Sequence, residues 1–446
     1  MNELAYVYGT LALMVGAFVF QVATRRFDPF APIWLFFVGY TQVYVVQAIS
    51  YHDWAIQARG EELVSGANSR ALWALAWLMS VYFLGPGRKL AQCLPSPPVR
   101  WALTPVVMVT PFLFVWGVYC ARVVLSLPGD NSADVTAEAT LLLSFPMVML
   151  VAGVLLIVTG RQPSRPRPAF TAAGVSIVLF YLVVWMFNGK RSPSLIAVLV
   201  GVCSFYVPRM KRPSFPVLIA TAMTGALAVG IAIGWRYFAN NQRTAQSFST
   251  FVEFVSTFNP ETILESVNLK EKESKPGMSV SYETEEYGGY LLMMDTVPLK
   301  SDYDLGANYL RVFSTFIPRI VWADKPIYGR DQWISAWVAG SEMKRQQNFT
   351  GPAISILGAT QLNGGSIGTF LVMGIVGLVL GTSYHYCRMY ADRPWVQVFW
   401  PLWYYNAWFM TVNDDPCNWF YYNFGFTTLP PLVLLWFVNK SGGGGR

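Results

Sequence analysis

Histidine is nearly absent from this chain: His52 and His385 are the only two in 446 residues, more than 300 positions apart and on opposite expected faces. That argues against a His-based metal centre or a catalytic triad. Cysteine is sparse as well. Cys93, Cys120, Cys203, Cys387 and Cys417 form an odd set without metal-ligand spacing, mostly within or beside apolar stretches, and read as packing residues. No Gly-rich phosphate loop, Asp-x-Asp metal motif or nucleotide signature is visible. The sequence therefore calls for no metal and no cofactor. Charge is scarce too, at 13% Asp, Glu, Lys and Arg.

What replaces charge is apolar surface. Hydrophobic residues make up 54% of the chain and recur in runs of bilayer-spanning length, which a soluble core does not produce. Spans are expected near 5–23, 30–49, 71–86, 101–121, 139–159, 169–187, 194–208, 215–235, 366–386, 395–412 and 418–438. The predicted fold is an all-α polytopic integral membrane protein of about 11 transmembrane helices. It divides into N-terminal spans (1–236), one large external loop (237–365) and C-terminal spans (366–440). The final SGGGGR, 441–446, reads as a linker outside the fold.

Lys and Arg in alternate short loops set the orientation. One set holds Arg25, Arg26, Arg88, Lys89, Arg100, Arg161, Arg165, Arg167, Arg209, Lys211, Arg212, Arg388, Arg393 and Lys440; the other holds Arg59, Arg70, Arg122, Lys190 and Arg191. The richer set belongs on the cytoplasmic side, so the N-terminus is expected outside and the C-terminus inside. A cleavable signal peptide is not expected, because a basic n-region is missing. The net charge of +7 is then mostly topology and gives no support for nucleic-acid binding.

The 237–365 insertion is too long for an ordinary connection and must be ordered or functional. Phe248, Phe251, Val252, Val255 and Phe258 recur at helical spacing, as in a helix lying at the membrane interface. Asn259, Pro260 and Glu261 supply the start of another short helix, residues 269–284 read as an exposed polar segment, and NYLRVFSTFIP reads as a helix stopped by Pro318.

The same insertion carries FIPRIVWADKPIYG, residues 316–329, which sets Arg319 and Lys325 among prolines and aromatics. Arg311 lies just upstream, and the short turn NGKRSP, 188–193, adds Lys190 and Arg191; Arg236 stands just outside a span. Guanidinium groups suit bidentate phosphate contact and ammonium groups supply point charge, so these cations are candidates for binding a diphosphate.

The stretch YLRVFSTFIPRIVWADKP, followed by TGPAISILGATQLNGGSIGTFLVMGIVGLVLG, resembles the oligosaccharide repeat-unit polymerases, the Wzy-type O-antigen and capsule polymerases. The resemblance falls on Arg319, Trp322, Lys325 and Pro326, then on Gly351, Gly358, Gly364, Gly365 and Gly368, and on Arg191 and Ser192 of the NGKRSP turn. ATQLNGG departs from that pattern, since relatives more often carry an acidic residue where Ala359 or Thr360 stands. The resemblance implies a GT-C-like, metal-independent glycosyltransferase in the bacterial cytoplasmic membrane. It would work on the external face with polyprenyl-diphosphate-linked oligosaccharides as donor and acceptor, alongside membrane lipids and a chain-length regulator.

In such a transfer negative charge builds on the departing diphosphate, and fixed cations there lower the barrier. Arg319 and Arg191 are assigned to it, with Arg311, Lys325, Lys190 and Arg236 as further contacts. A base must also take the acceptor's proton. Glu285, Glu286, Asp302, Asp304, Asp324, Asp414 and Asp415 are all external carboxylates, and Asp295, ending the apolar run LLMM, is the candidate base because burial there would raise its affinity for a proton. Aromatics, 16% of the chain, crowd WVQVFWPLWYYNAWF and NWFYYNFGF; Trp403, Tyr404, Tyr405 and Trp408, with Trp322 and Tyr328, are candidate glycan contacts beside the alternative of an interfacial belt. Gly374, Gly377 and Gly381 read as helix-packing positions. Two other functions use the same cations: a ligase that moves a finished glycan to another acceptor, and a transporter or flippase of lipid-linked sugars. A loop histidine would favour the ligase, and a pair of interrupted helices in corresponding halves the transporter; the sequence shows neither, nor an internal repeat, which counts against both.

Overall fold

A computed structural model describes residues 3–126, 145–242, 247–259, 285–310, 317, 321–322, 324, 330–340, 353–412, 424–425 and 427–441. All regular structure among the described residues is helical. The helices are α1 (Glu3–Ala23), α2 (Pro32–Ser50), α3 (His52–Arg59), α4 (Glu61–Leu84), α5 (Gly87–Cys93), α6 (Leu103–Ser126), α7 (Phe145–Gly160), α8 (Pro168–Phe187), α9 (Arg191–Tyr206), α10 (Phe215–Gln242), α11 (Phe248–Ser256), α12 (Glu286–Thr296), α13 (Arg330–Gly340), α14 (Ser355–Met389), α15 (Pro394–Tyr404), α16 (Asn406–Val412) and α17 (Leu429–Ser441).

Seven of these, α1, α2, α6, α8, α9, α10 and α14, are long and apolar enough to cross a membrane, and the chain is a helical membrane protein. The other expected spans look different. Helix α4 is long, but its first turns carry Glu61, Glu62, Asn68 and Arg70, which confine its apolar part to the second half. Helices α7 and α17 are shorter apolar helices. The run 395–412 is two helices, α15 and α16, that meet at Tyr405.

Two compact units are built from non-contiguous segments. One holds Met1–Pro95, Ser281–Met389 and Asn406–Tyr422; the other holds Ser96–Val280, Tyr390–Tyr405 and Asn423–Arg446. The 237–365 insertion is thereby shared, α11 belonging to the second unit and α12 and α13 to the first.

In the first unit, α4 is the axis. Tyr40 donates to the Ala71 carbonyl (2.7 Å), Tyr290 to that of Ala67 (3.1 Å), and Tyr287 to Asn68 Oδ1 (2.8 Å). Buried hydroxyls must find such acceptors, and a helix surface in apolar surroundings offers few except backbone carbonyls. Helix α2 contains one π-helical stretch, Gln42–Gln47, which turns Gln47 onto Glu286 (2.6 Å) and the Tyr287 N–H (2.9 Å). It also packs on α16, where a side chain at Gly39 would collide with Thr411 and Trp408. Near the other end of α14, Asp28 accepts from the Phe30 N–H (3.1 Å), Tyr384 (3.1 Å) and Arg388 (3.3 Å).

In the second unit, small residues let α7 and α8 approach closely. A Cβ at Gly174 would stand 2.6 Å from the Gly153 carbonyl oxygen and 2.8 Å from the Ile157 nitrogen. Trp101 donates to Thr159 (3.1 Å) and meets Trp395 edge to face at 5.1 Å. The periodic phenylalanines of α11 dock as expected of an amphipathic helix, although Phe251 and Phe254 form the buried face while Phe248 and Val252 stay exposed. The two buried rings pack on Trp235. Ser247 caps α11, accepting from the Thr250 N–H at 3.1 Å.

Gly174→Val forces α7 and α8 apart and is expected to cost about 1–3 kcal/mol, read as a lower unfolding temperature in detergent. Gly16→Val, where a Cβ meets no described residue within 4 Å, is the control and leaves that temperature unchanged.

Candidate functional site

The NGKRSP turn is a helix stop followed at once by a helix start. Gly189 adopts φ +65°, its N–H bonds the Met186 carbonyl (3.0 Å), and the Lys190 N–H bonds that of Trp185 (3.1 Å), a paired C-terminal closure of α8 that needs glycine at this position. Arg191, Ser192 and Pro193 then form the first turn of α9. Ser194 donates to the Lys190 carbonyl (2.9 Å) and tightens the junction.

Helix α10 brings the third cation. Trp235 donates to the Phe187 carbonyl (2.6 Å), which fixes the end of α8 against α10. The next residue, Arg236, then lies against Gly189: a Cβ there would be 2.9 Å from Arg236 Cβ. Lys190, Arg191 and Arg236 are thus gathered at one corner of the second unit, about a helix N-terminus whose first N–H groups lack intrahelical partners. Arg191 and Arg236 are exposed. Lys190 is half-buried, and desolvation holds its ammonium below the ordinary lysine range. A site of this kind attracts phosphate oxygens.

Arg311, Arg319, Lys325 and Tyr328 lie outside the described residues, as do Asp414 and Asp415. Trp322 and Asp324 are exposed. Asp295 is placed differently from its expected role as a buried base. Its Oδ2 accepts from Arg59 (3.1 Å) and Lys300 (2.9 Å), and Arg59 also binds the Gly340 carbonyl (2.9 Å). Asp295 therefore ties α12 to α3 and holds two cations. The candidate glycan platform also changes character: Trp403, Tyr404, Tyr405 and Trp408 are all buried. Trp403 packs edge-on against Phe424 (5.2 Å), and Trp408 donates to Gln42 (3.3 Å), so these rings serve helix packing. Arg59 and Arg70, counted above as external loop charges, are engaged within the first unit.

Arg70 points to a feature that the sequence showed only as a glycine pair. Helix α14 is broken at Gly364 and Gly365, and Gly365 adopts φ +60°, a conformation that favours glycine. Its first half, from Ser355 to Asn363, is buried and rich in polar side chains. Tyr44 anchors its start, donating to Ser355 Oγ (2.8 Å) and accepting from the Leu357 N–H (3.0 Å). At the break, Arg70 donates to Gln361 and to Ser366 Oγ (3.0 Å), Asn363 donates to the Ala359 carbonyl (2.8 Å), and Thr360 and Thr369 pair across the gap (2.8 Å). Among the described residues, none comes within 4 Å of a side chain placed at Gly364.

A short loop closes onto this break. The Asp304 N–H donates to the Leu362 carbonyl (2.9 Å) and the Gly306 N–H to Asn363 Oδ1 (3.1 Å), while Tyr303 stands against Gly365, where a Cβ would be 2.7 Å from its hydroxyl. Asp304 is 4% exposed. Its Oδ2 accepts from the Asn308 N–H (2.6 Å), and its Oδ1 is buried with no hydrogen-bond partner among the described residues. Desolvation raises its carboxyl above the ordinary carboxylate range, against the opposing pull of the Asn308 N–H.

A carboxyl raised on folding keeps its proton longer in the native state, so stability falls as pH climbs from the ordinary carboxylate range through the native value. Asp304→Asn keeps an acceptor for the Asn308 N–H and removes the titration. Its unfolding temperature relative to wild type is expected to rise with pH between about pH 4 and neutrality, measured by thermal unfolding across that range. Comparison with protein-family models, with curated proteins and with solved structures gives no match for this chain.

Proposed function

We propose that this protein is a metal-independent membrane glycosyltransferase that polymerises polyprenyl-diphosphate-linked oligosaccharide repeat units into a surface polysaccharide. It does so in the bacterial cytoplasmic membrane, with about 11 spans, its N-terminus external, its C-terminus cytoplasmic and the chemistry on the external side. The observation that carries this reading is the gathering of Lys190, Arg191 and Arg236 about the start of α9. Three cations with a partly desolvated ammonium suit a diphosphate leaving group, and Lys190 and Arg191 stand in the very turn that resembles the polymerases' external Arg-Ser turn. Arg319, Arg311 and Lys325 are assigned to diphosphate binding on the strength of their motif alone.

Charge is the physical basis of the mechanism. As the anomeric carbon loses its bond to the diphosphate, negative charge concentrates on phosphate oxygens, and cations already fixed in place stabilise that state without reorganising. Arg191 and Arg236 supply guanidinium forks, and Lys190 supplies a point charge.

A second reading has one observation in its favour. The interrupted helix α14, with its polar first half, is a device found in transporters, where a broken helix lines a substrate path. In that case the cations bind a lipid-linked sugar and move it without chemistry.

Purified protein given a synthetic lipid-diphosphate oligosaccharide is expected to yield a ladder of longer glycans. Arg191→Ala and Arg319→Ala are each expected to slow it by about 10²- to 10³-fold. A wild type that yields no ladder, yet moves the lipid across vesicles, discards the polymerase reading in favour of the transporter.

A further inference from the structure

Besides the cations already placed, the second unit carries positive charge that its own sequence cannot balance. Between Phe145 and Gln242 there is no Asp or Glu, while Arg161, Arg165, Arg167, Arg209, Lys211 and Arg212 stand in two short connections. Both connections lie at one end of α8 and α9, because the NGKRSP turn joins the opposite ends of the same two helices. The bias of alternate loops toward Lys and Arg accounts for basic residues here. It does not account for one of them being drawn against the helices.

That residue is Arg161. Its guanidinium carbon lies 3.3 Å from the centre of the Phe205 ring, which holds the planar group against α9. Its Nε is buried with no hydrogen-bond partner among the described residues. Arg209, exposed at the end of the turn that follows α9, is its electrostatic neighbour. Desolvation first, and the like charge of Arg209 second, hold the Arg161 guanidinium below the ordinary arginine range. Among the described residues no ion pair involves either arginine. The described acids of this unit are committed or remote: Asp392 pairs with its own neighbour Arg393 (3.5 Å), and Glu253 stands on α11, past the far end of α10. Two guanidinium groups kept in mutual repulsion, one with an unpaired buried donor, are relieved by an anion that both can hold.

The surface next in the chain points to the carrier of that anion. Lys211 and Arg212 are exposed, and α10 then presents Phe215, Ile219, Met223 and Leu227, all exposed and four residues apart, as an apolar stripe that begins where the cations end. A free phosphate leaves such a stripe uncovered, whereas a phospholipid covers it with acyl chains. We propose that Arg161 and Arg209 bind the phosphodiester of an anionic phospholipid, with Lys211 and Arg212 at its rim and its acyl chains along the Phe215–Leu227 stripe of α10. A zwitterionic lipid carries the same phosphodiester, but its own ammonium would be set among these cations. The site is distinct from the Lys190–Arg191–Arg236 corner, since the 16 residues of α9 separate the two by about 24 Å. It does not depend on which reaction the protein performs.

Full-length protein in detergent, given equal amounts of phosphatidylglycerol and phosphatidylcholine with the same acyl chains, is expected to retain phosphatidylglycerol in excess, read by native mass spectrometry. Arg161→Gln and Arg209→Gln are each expected to lower that excess about fivefold, the worth of one basic residue near an anionic surface. Arg25→Gln, which removes an exposed charge of the first unit, is expected to leave it unchanged. A wild type that retains both lipids equally overturns the site. So does an Arg209→Gln protein that keeps the full excess, or an Arg25→Gln protein that loses as much as the others, because retention then follows net charge alone. Arg209 is exposed, so its variant decides should Arg161→Gln not fold. Inorganic phosphate at the concentration of the lipid is expected to displace none of it; displacement assigns the pair to a free anion and removes the lipid. No readout here involves glycan extension, so this site and the polymerase reading fail separately.

Discussion

A helix interrupted in apolar surroundings releases backbone N–H and C=O groups that water cannot reach, and each one left unpaired is costly. That constraint organises the first unit. The Leu362 carbonyl is taken by Asp304, the Ala359 carbonyl by Asn363, and the Gly365 carbonyl by Thr369, while Arg70 spans the gap from Gln361 to Ser366. The loop 301–308 and the polar turn of α4 make sense as partners for the break. Tyrosine hydroxyls set on α4 carbonyls then hold α2 and α12 in register around it.

The second unit is stabilised differently. Its contacts are glycine-to-backbone approaches between α7 and α8, and the aromatic cluster of Trp235, Phe251, Phe254 and Phe187. Aromatic pairs of this geometry contribute about 0.5–1.5 kcal/mol each beyond burial. The same cluster sets the position of Arg236 beside the Gly189 turn, so apolar packing determines where the charges gather.

Much of this was legible in the sequence. Apolar runs marked the seven membrane-length helices because hydropathy over 20 residues survives any tertiary arrangement. The NGKRSP turn could be placed between two spans, since glycine and proline punctuate helices locally. Other features were beyond local pattern. The glycine pair 364–365 looked like a motif element, yet the break shows only when both half-helices have their own partners. Asp295 ended an apolar run and suggested burial, but Arg59, 236 positions away, claimed it. Asp304 sat in an ordinary polar stretch, and its burial comes from contact with residues 362 and 363. The aromatics of 395–409 looked like a platform or a belt, and no periodicity tells such rings from those buried between helices.

The division of the chain at Tyr405 has a consequence for biogenesis. Helix α2 is made among the first 50 residues, but the surface that Gly39 fits is α16, which follows some 350 residues later. Between these events the ribosome delivers nearly all of the other unit. Helix α2 must therefore wait, inserted but without its final neighbour, until α16 has been made, a separation in sequence of the kind that slows folding. The first unit is therefore completed by a segment, α16, that follows most of the second unit in the chain.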